Sequence, residues 1–375
     1  MSKSYTPGLK VLHHTLLKKS RILPIKGTVE KTVGEEVKAV DIVAKTYLPG
    51  NVTMLKLANK LNITPSDIRD VLLIEEGDSI KKGDLIAQTN GLFGFFKSEV
   101  ISPIDGTIES ISEVTGQIVI RDKPLPVQVD AYVKGKVSKI FSDEGVEIET
   151  EAALIQGIFG IGGETRGTLK VLSNHRNDEI SYDLINESHT GKIVGGGSFI
   201  SLETYKKAIN LKIGGIIVGG FNYFDLKEIL GYTLGVAITG TEKIGTTLII
   251  TEGYGRIMMS ERTFDLLKMH DGKSISINGA TQIRAGVIRP EIVIPLNNKD
   301  SSVIVNNVEI NEGIKKGSMV RVIRTPYFGQ IGKVVALPSE LRIMESETSV
   351  RVAEVEIGGE IFIVPRSNLE KLETD

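Results

Sequence analysis

The sequence predicts a multidomain protein of β plus α/β class, and three observations carry that reading. The chain has 375 residues, enough for several domains at roughly 100–200 residues each. Residues 25–186 fall into short alternating runs broken by Gly and Asp, the period-two pattern of half-buried strands. From residue 187 the pattern changes to continuous apolar runs separated by helical stretches, as expected for a small doubly wound α/β domain over 187–300. A further β-rich segment fills 301–375. Hydrophobic residues make up 41% and charged residues 25%, a balance that can support several packed cores.

Composition narrows the function classes. There is no cysteine, so disulfides, thiolate metal sites and a cysteine nucleophile are excluded. The formal charge is −2, which argues against strong binding of free nucleic acid through the whole surface. No apolar run approaches the ~18 residues that cross a bilayer. The segment MSKSYTPGLKVLHHTLLKKSR lacks the apolar centre of a secretory signal. A soluble, cytoplasmic protein is expected. Residues 1–24 read as a basic arm. Lys3, Lys10, Lys18, Lys19 and Arg21 have no acidic neighbours in this stretch. Packing of a solvated arm on the next domain is the first reading, a nucleic-acid-touching tail the second.

Within 25–186 one phrase recurs. GTVEKTVGEEVKAVDIVAK (27–45) and VLLIEEGDSIKKGDLIAQ (71–88) share a β run, a Gly-acid turn and an Asp-led return strand. GKVSKIFSDEGVEIETEAALIQG (135–157) is a looser third copy. A helix is expected at about 52–61, and a second opening at Thr64-Pro65-Ser66-Asp67, with Thr64 as cap and Pro65 in the first turn. VLLIEEGDSIKKGDLIAQ followed by SEVISPIDGTIESI resembles a barrel-sandwich hybrid of the biotinyl/lipoyl type, a hammerhead also found in the Rnf electron-transport complex and in large RNA polymerase subunits. The resemblance covers about 160 residues and implies a fold rather than a function. Carrier domains of this type place the modified lysine eight residues before the proline of the SPxxG strand. Phe95 stands there, and Lys97 is two residues off. Neither biotin nor lipoate is expected, nor any other cofactor. Leu92, Phe93, Phe95 and Phe96 are expected to pack on a neighbouring domain or to contact a partner. GIFGIGGETRG (157–167) holds five glycines in eleven residues. Its backbone is either a flexible turn or an anion nest.

The middle domain is read element by element. GKIVGGG, GGIIVGG, LGVAITG and TTLIITEGYG are strands; SLETYKKAINL, YFDLKEILG and SERTFDLLKMH are helices, opened by Ser198 or Ser201 and by Ser260, with a stop at Gly231. The strands end in Gly195, Gly196 and Gly197, in Gly219 and Gly220, in Thr239 and Thr241, and in Glu252 and Arg256. An open α/β sheet binds ligands outside the carboxyl ends of its strands. Glycines admit a ligand to backbone N–H groups, and Arg256 adds a cation. A small anionic ligand is therefore the candidate, although tight turns alone also call for glycine. No acid–base pair, metal cluster or nucleophile elbow is recognisable, and the reading leans away from an enzyme. His189 and His270 read as ordinary polar positions. Arg284 and Arg289 lie in an apolar run and need partners.

The C-terminal segment carries the most specific motif. Thr325-Pro326-Tyr327-Phe328-Gly329-Gln330-Ile331-Gly332, followed by Lys333-Val334-Val335, and the ending IVPRSNLEKL resemble a KOW-type SH3-like barrel over about 310–372. The resemblance implies docking on RNA, the ribosome or RNA polymerase, with Arg321, Arg324, Tyr327, Phe328 and Lys333 as contact surface. Phe328 departs from the usual basic residue. Seven basic residues face nine acidic ones from Gly317 to Asp375, so docking on a protein or ribonucleoprotein surface is favoured over free RNA. The expected function is a non-enzymatic scaffold of a transcription, translation or other large assembly. The alternative is an enzyme or sensor that binds a nucleotide or anionic metabolite in the middle domain.

Overall fold

The computed structural model describes residues 9–89, 97–232, 239–240, 242–282, 288–296, 314–323, 326–327, 329–344 and 349–371. The protein is mostly β, with 47% strand and 15% helix, and one sheet curls into a half-barrel. The tip with Leu92, Phe93, Phe95 and Phe96, expected to pack on a neighbouring domain or to contact a partner, lies outside the described residues, as do residues 234–238 of the strand expected at 234–240.

The basic arm is a strand. Val11–Ile22 pairs antiparallel with Gly145–Gln156 along its whole length. Its charges find partners on distant segments. Lys18 faces Glu147 and Glu149 at 3.6 and 3.4 Å, Lys19 meets Glu291 at 2.5 Å, and Arg21 meets Glu164 at 2.7 Å and Asp130 at 3.3 Å. The arm thus packs on the next domain as a paired strand, and the carboxylates that neutralise it are 100 or more residues away in sequence, where a local reading does not look.

The Gly-Asp phrases form one repeated turn. Asp41, Asp78 and Asp84 each accept the amide of the residue three earlier, at 2.8, 2.7 and 2.7 Å. Each also returns its own amide to that residue's carbonyl. The reciprocal bonds close the turn and start the return strand. Residues 52–121 enclose a core of their own, centred on Leu57, Ile68, Ile86, Ile118 and Ile120. The chain enters and leaves this unit through an antiparallel pair, Ile42–Leu48 with Leu125–Asp130. The helix expected from residue 52 starts only at Leu57–Leu61, because Val52–Leu55 pairs with Gln117–Arg121. Thr64 does precede a turn, Pro65–Asp67, where its hydroxyl bonds Asp67.

The sheet crosses the boundary expected at residue 187. Its order runs Phe159–Ile161, Thr247–Tyr254, Gly215–Phe221, Ile193–Gly195, Glu164–Val171, Ser274–Asn278, Glu291–Pro295, Gly145–Gln156. The segment 164–171 therefore belongs with the α/β layer: its first half pairs antiparallel with 274–278 and its second half parallel with 193–195. Strands 193–195, 215–221 and 247–254 are parallel neighbours. Leu202–Asn210 and Tyr223–Leu230 cover one face through Tyr205, Ala208 and Leu226. Glu261–Met269 covers the other through Phe264, Leu266 and Leu267. The caps follow the sequence: Ser201 and Ser260 accept the amides of Thr204 and Thr263, and Gly231 closes its helix at φ 74°.

Residues 314–371 form a separate six-stranded sheet around Val320, Val322, Val334, Ala353, Val355, Val364 and Leu369. Gly358 and Gly359, at φ 61° and 91°, make its last hairpin turn.

Candidate functional site

The register of the parallel strands brings three of the expected strand ends together. Gly195 pairs with Ile217, Gly220 with Gly253 and Phe221 with Tyr254. Gly219 donates to the Gly197 carbonyl at 3.0 Å. The glycines here serve contact between chain segments. A Cβ on Gly219 would lie 2.3 Å from the Ile257 carbonyl oxygen, and one on Gly220 2.0 Å from that of Gly255. One on Gly197 would lie 2.2 Å from the Asp178 oxygen. Neighbouring backbone fills the space beside these three glycines.

Thr239 is not at this edge. Its hydroxyl donates to the Gly160 carbonyl and accepts the Thr281 amide, both at 2.8 Å. Gly160 pairs with Ile249, in the amino-terminal half of 247–254. The expected grouping of Thr239 with the strand carboxyl ends is thus corrected, since its partner strand runs antiparallel to the layer. Thr241 lies outside the described residues. Arg256 is at the edge but engaged: it pairs with Glu179 and stands 4.3 Å over the Phe199 ring.

Glu252 shows what occupies the edge. One carboxylate oxygen accepts the Ser260 amide at 3.0 Å, and the other accepts Arg321 at 3.0 Å. Arg321 also donates to Glu370 at 3.2 Å. Arg321 is 1% exposed and Glu370 fully buried. Beside them Gly329 seats against Tyr254, and Ile323 joins the core of the α/β layer. Tyr254 is buried enough that its phenol pKa rises well above the ordinary value. Arg289 donates to the Ile158 carbonyl at 3.3 Å. Burial above all lowers its guanidinium pKa, with Glu370 opposing and Arg321 adding to the effect.

The expected contact surface of the C-terminal unit changes accordingly. Arg321 is not a surface cation. It points off the strand's outer side, as the Val320-Arg321-Val322 alternation implies, but the α/β layer covers that side. Tyr327 packs against Phe362 with the rings tilted by 46° and their centroids 4.6 Å apart, and it is half-buried. Lys333 is exposed. Arg324 and Phe328 lie outside the described residues, as does Arg284. Sequence reading missed Glu370, Ile323 and Tyr254. The one signal for Glu370 was a charged residue directly after an apolar strand residue, Leu369.

Of the glycine-rich segment 157–167, only the Gly162 amide is among the donors that hold the chain's own Glu242. Gly240 and Gly162 donate amides to one oxygen at 2.7 and 3.2 Å, and Tyr232 donates its hydroxyl to the other at 2.7 Å. Burial works to raise the Glu242 pKa, but these hydrogen bonds outweigh it and hold the pKa below the ordinary value. Burial and Glu242 together push the Tyr232 phenol up to about 12. His189 accepts the Asn186 amide in a capping turn.

Among the described residues there is no group of three His, Cys, Asp or Glu side chains placed to hold a metal ion. No helix there is long and apolar enough to cross a membrane. Comparison with protein-family models gave no match, and neither did comparison with curated proteins.

Proposed function

We propose that this chain is a non-enzymatic scaffold that docks on a large cytoplasmic assembly through its C-terminal unit. One observation carries the reading: the sheet edge at which an open α/β layer takes a ligand is occupied by the chain's own C-terminal unit, through Arg321 and Gly329. The occupied edge counts against the alternative of an enzyme or sensor for an anionic metabolite. The KOW-like motif supports a transcription or translation assembly as the partner. In the same unit Leu341, Ile343, Ile361 and Ile363 are exposed, and exposed large apolar side chains on one module favour contact with a protein partner.

Affinity capture on the immobilised chain, with and without nuclease, tests the proposal. Ribosomal proteins or RNA polymerase subunits should be retained after nuclease treatment. The Ile361→Glu/Ile363→Glu variant should lose them, because both positions are exposed and the change leaves the core intact. Equal retention by both chains, or none by either, overturns the reading. A nucleotide at 100 times its Kd raises stability by about 2.7 kcal/mol; such a rise in a thermal-shift screen would favour the ligand-binding alternative.

A further inference from the structure

We propose that the C-terminal unit is a reversible dock, with Arg321 as the latch that holds it over the strand ends of the α/β layer. The inference concerns the same unit as the scaffold proposal but stands on the seam between the two sheets.

The seam is built for separation. Among the described residues no strand ladder and no backbone hydrogen bond joins 314–371 to the rest of the chain. A buried side-chain bond that crosses it runs from Arg321 to Glu252. Each half keeps a partner when that bond opens. Arg321 retains Glu370, its direct neighbour in the pairing of Met319–Val322 with Leu369–Lys371. Glu252 retains the Ser260 amide at the start of its helix. Neither charge is stranded, which removes the large penalty that normally locks a buried ion pair.

The closed state also carries a cost. The Nε of Arg321 and one carboxylate oxygen of Glu370 are buried with no hydrogen-bond partner among the described residues. Water would satisfy both once the seam opens. Against this, closure buries Ile323 in the α/β core and seats Gly329 on Tyr254. Apolar contact is thus balanced against unsatisfied polar atoms at the same seam, a balance that favours relative motion of two units. Opening would uncover Glu252, Gly253 and Tyr254 on one side and Arg321 on the other. In the closed state each covers the other.

The absence of cysteine makes the test direct. Spin labels on Met258→Cys and Ile361→Cys, both exposed positions, report the separation of the two units in the full chain. Wild type should show a main short distance and a minor long one. Arg321→Met, which strands Glu252 and Glu370 beside each other, should raise the long fraction at least fivefold while far-ultraviolet circular dichroism is preserved. If that variant fails to fold, Glu252→Gln, which keeps an acceptor for Ser260, should give the same redistribution. A single narrow distance that neither variant changes would overturn the latch. So would loss of structure throughout the chain in both variants, because the two units would then unfold as one body. Neither result depends on a partner, so the scaffold proposal is tested separately.

Discussion

Gly329 lies against the ring of Tyr254: a Cβ at position 329 would come within 3.0 Å of the ring edge. The same residue has φ +82°, a backbone region that favours glycine. Two independent constraints, one within the turn and one across the seam, therefore fall on a single residue.

Gly329→Val should destabilise the C-terminal unit by roughly 1–3 kcal/mol through backbone strain alone, with the Tyr254 contact adding to it. Thermal unfolding followed by near-ultraviolet absorbance of the tyrosines should show an earlier transition for this unit. An unchanged melt would remove the turn assignment.

Arg21 ties the first strand to two remote segments through Glu164 and Asp130. Arg21→Met should cost about 2 kcal/mol, the scale of hydrogen bonds to charged groups. Chemical denaturation should show a lower midpoint with an unchanged slope. A midpoint equal to wild type would mean that the arm's charges are screened by solvent.

Thr239→Val keeps the shape of the side chain but strands the buried Thr281 amide and leaves the Gly160 carbonyl with only the longer bond from the Thr281 hydroxyl, at 3.2 Å. A loss of about 1–3 kcal/mol is expected. The reading of Thr239 as a ligand-binding hydroxyl predicts no loss of stability, so the measurement separates the two roles.

Glu242 gives a pH signature. Its folded-state pKa lies below the ordinary 4.5, so the stability it contributes is full above its unfolded value. That contribution is lost as pH falls through the folded-state value. Glu242→Gln should be less stable than wild type by about 1 kcal/mol near neutral pH. The gap should shrink as acid protonates the carboxylate. A gap that stays constant from pH 7 down to about 3 would show that the Glu242 charge is not held by the Gly162 and Gly240 amides.

Local patterns in the sequence were legible to the degree that local forces set them. The Gly-Asp turns, the serine caps and the apolar parallel strands follow from residues within a few positions of one another. Thr239 was misplaced because its partners, Gly160 and Thr281, lie 79 and 42 residues away. Arg321 was read as a surface cation because strand alternation specifies which side of a sheet a residue faces. It does not specify what covers that side. The partners of the basic arm were hidden for a related reason: Lys18, Lys19 and Arg21 are balanced by Glu149, Glu291 and Glu164, and no local window contains both members of any pair.

The strand Gly145–Gln156 is flanked by Val11–Ile22 on one side and by Gly135–Phe141 and then Glu291–Pro295 on the other. That arrangement sets a schedule for folding during synthesis. The first strand leaves the ribosome well before its partner and must wait, with its cations unpaired. The sheet cannot close until residue 295 has emerged. Contacts of such sequence separation form slowly, because loop-closure entropy is spent before they are made. In the interval the apolar edge of 145–156 is open to other chains. The compact unit at 52–121 needs none of these late segments and can be complete while the sheet around it is still unfinished.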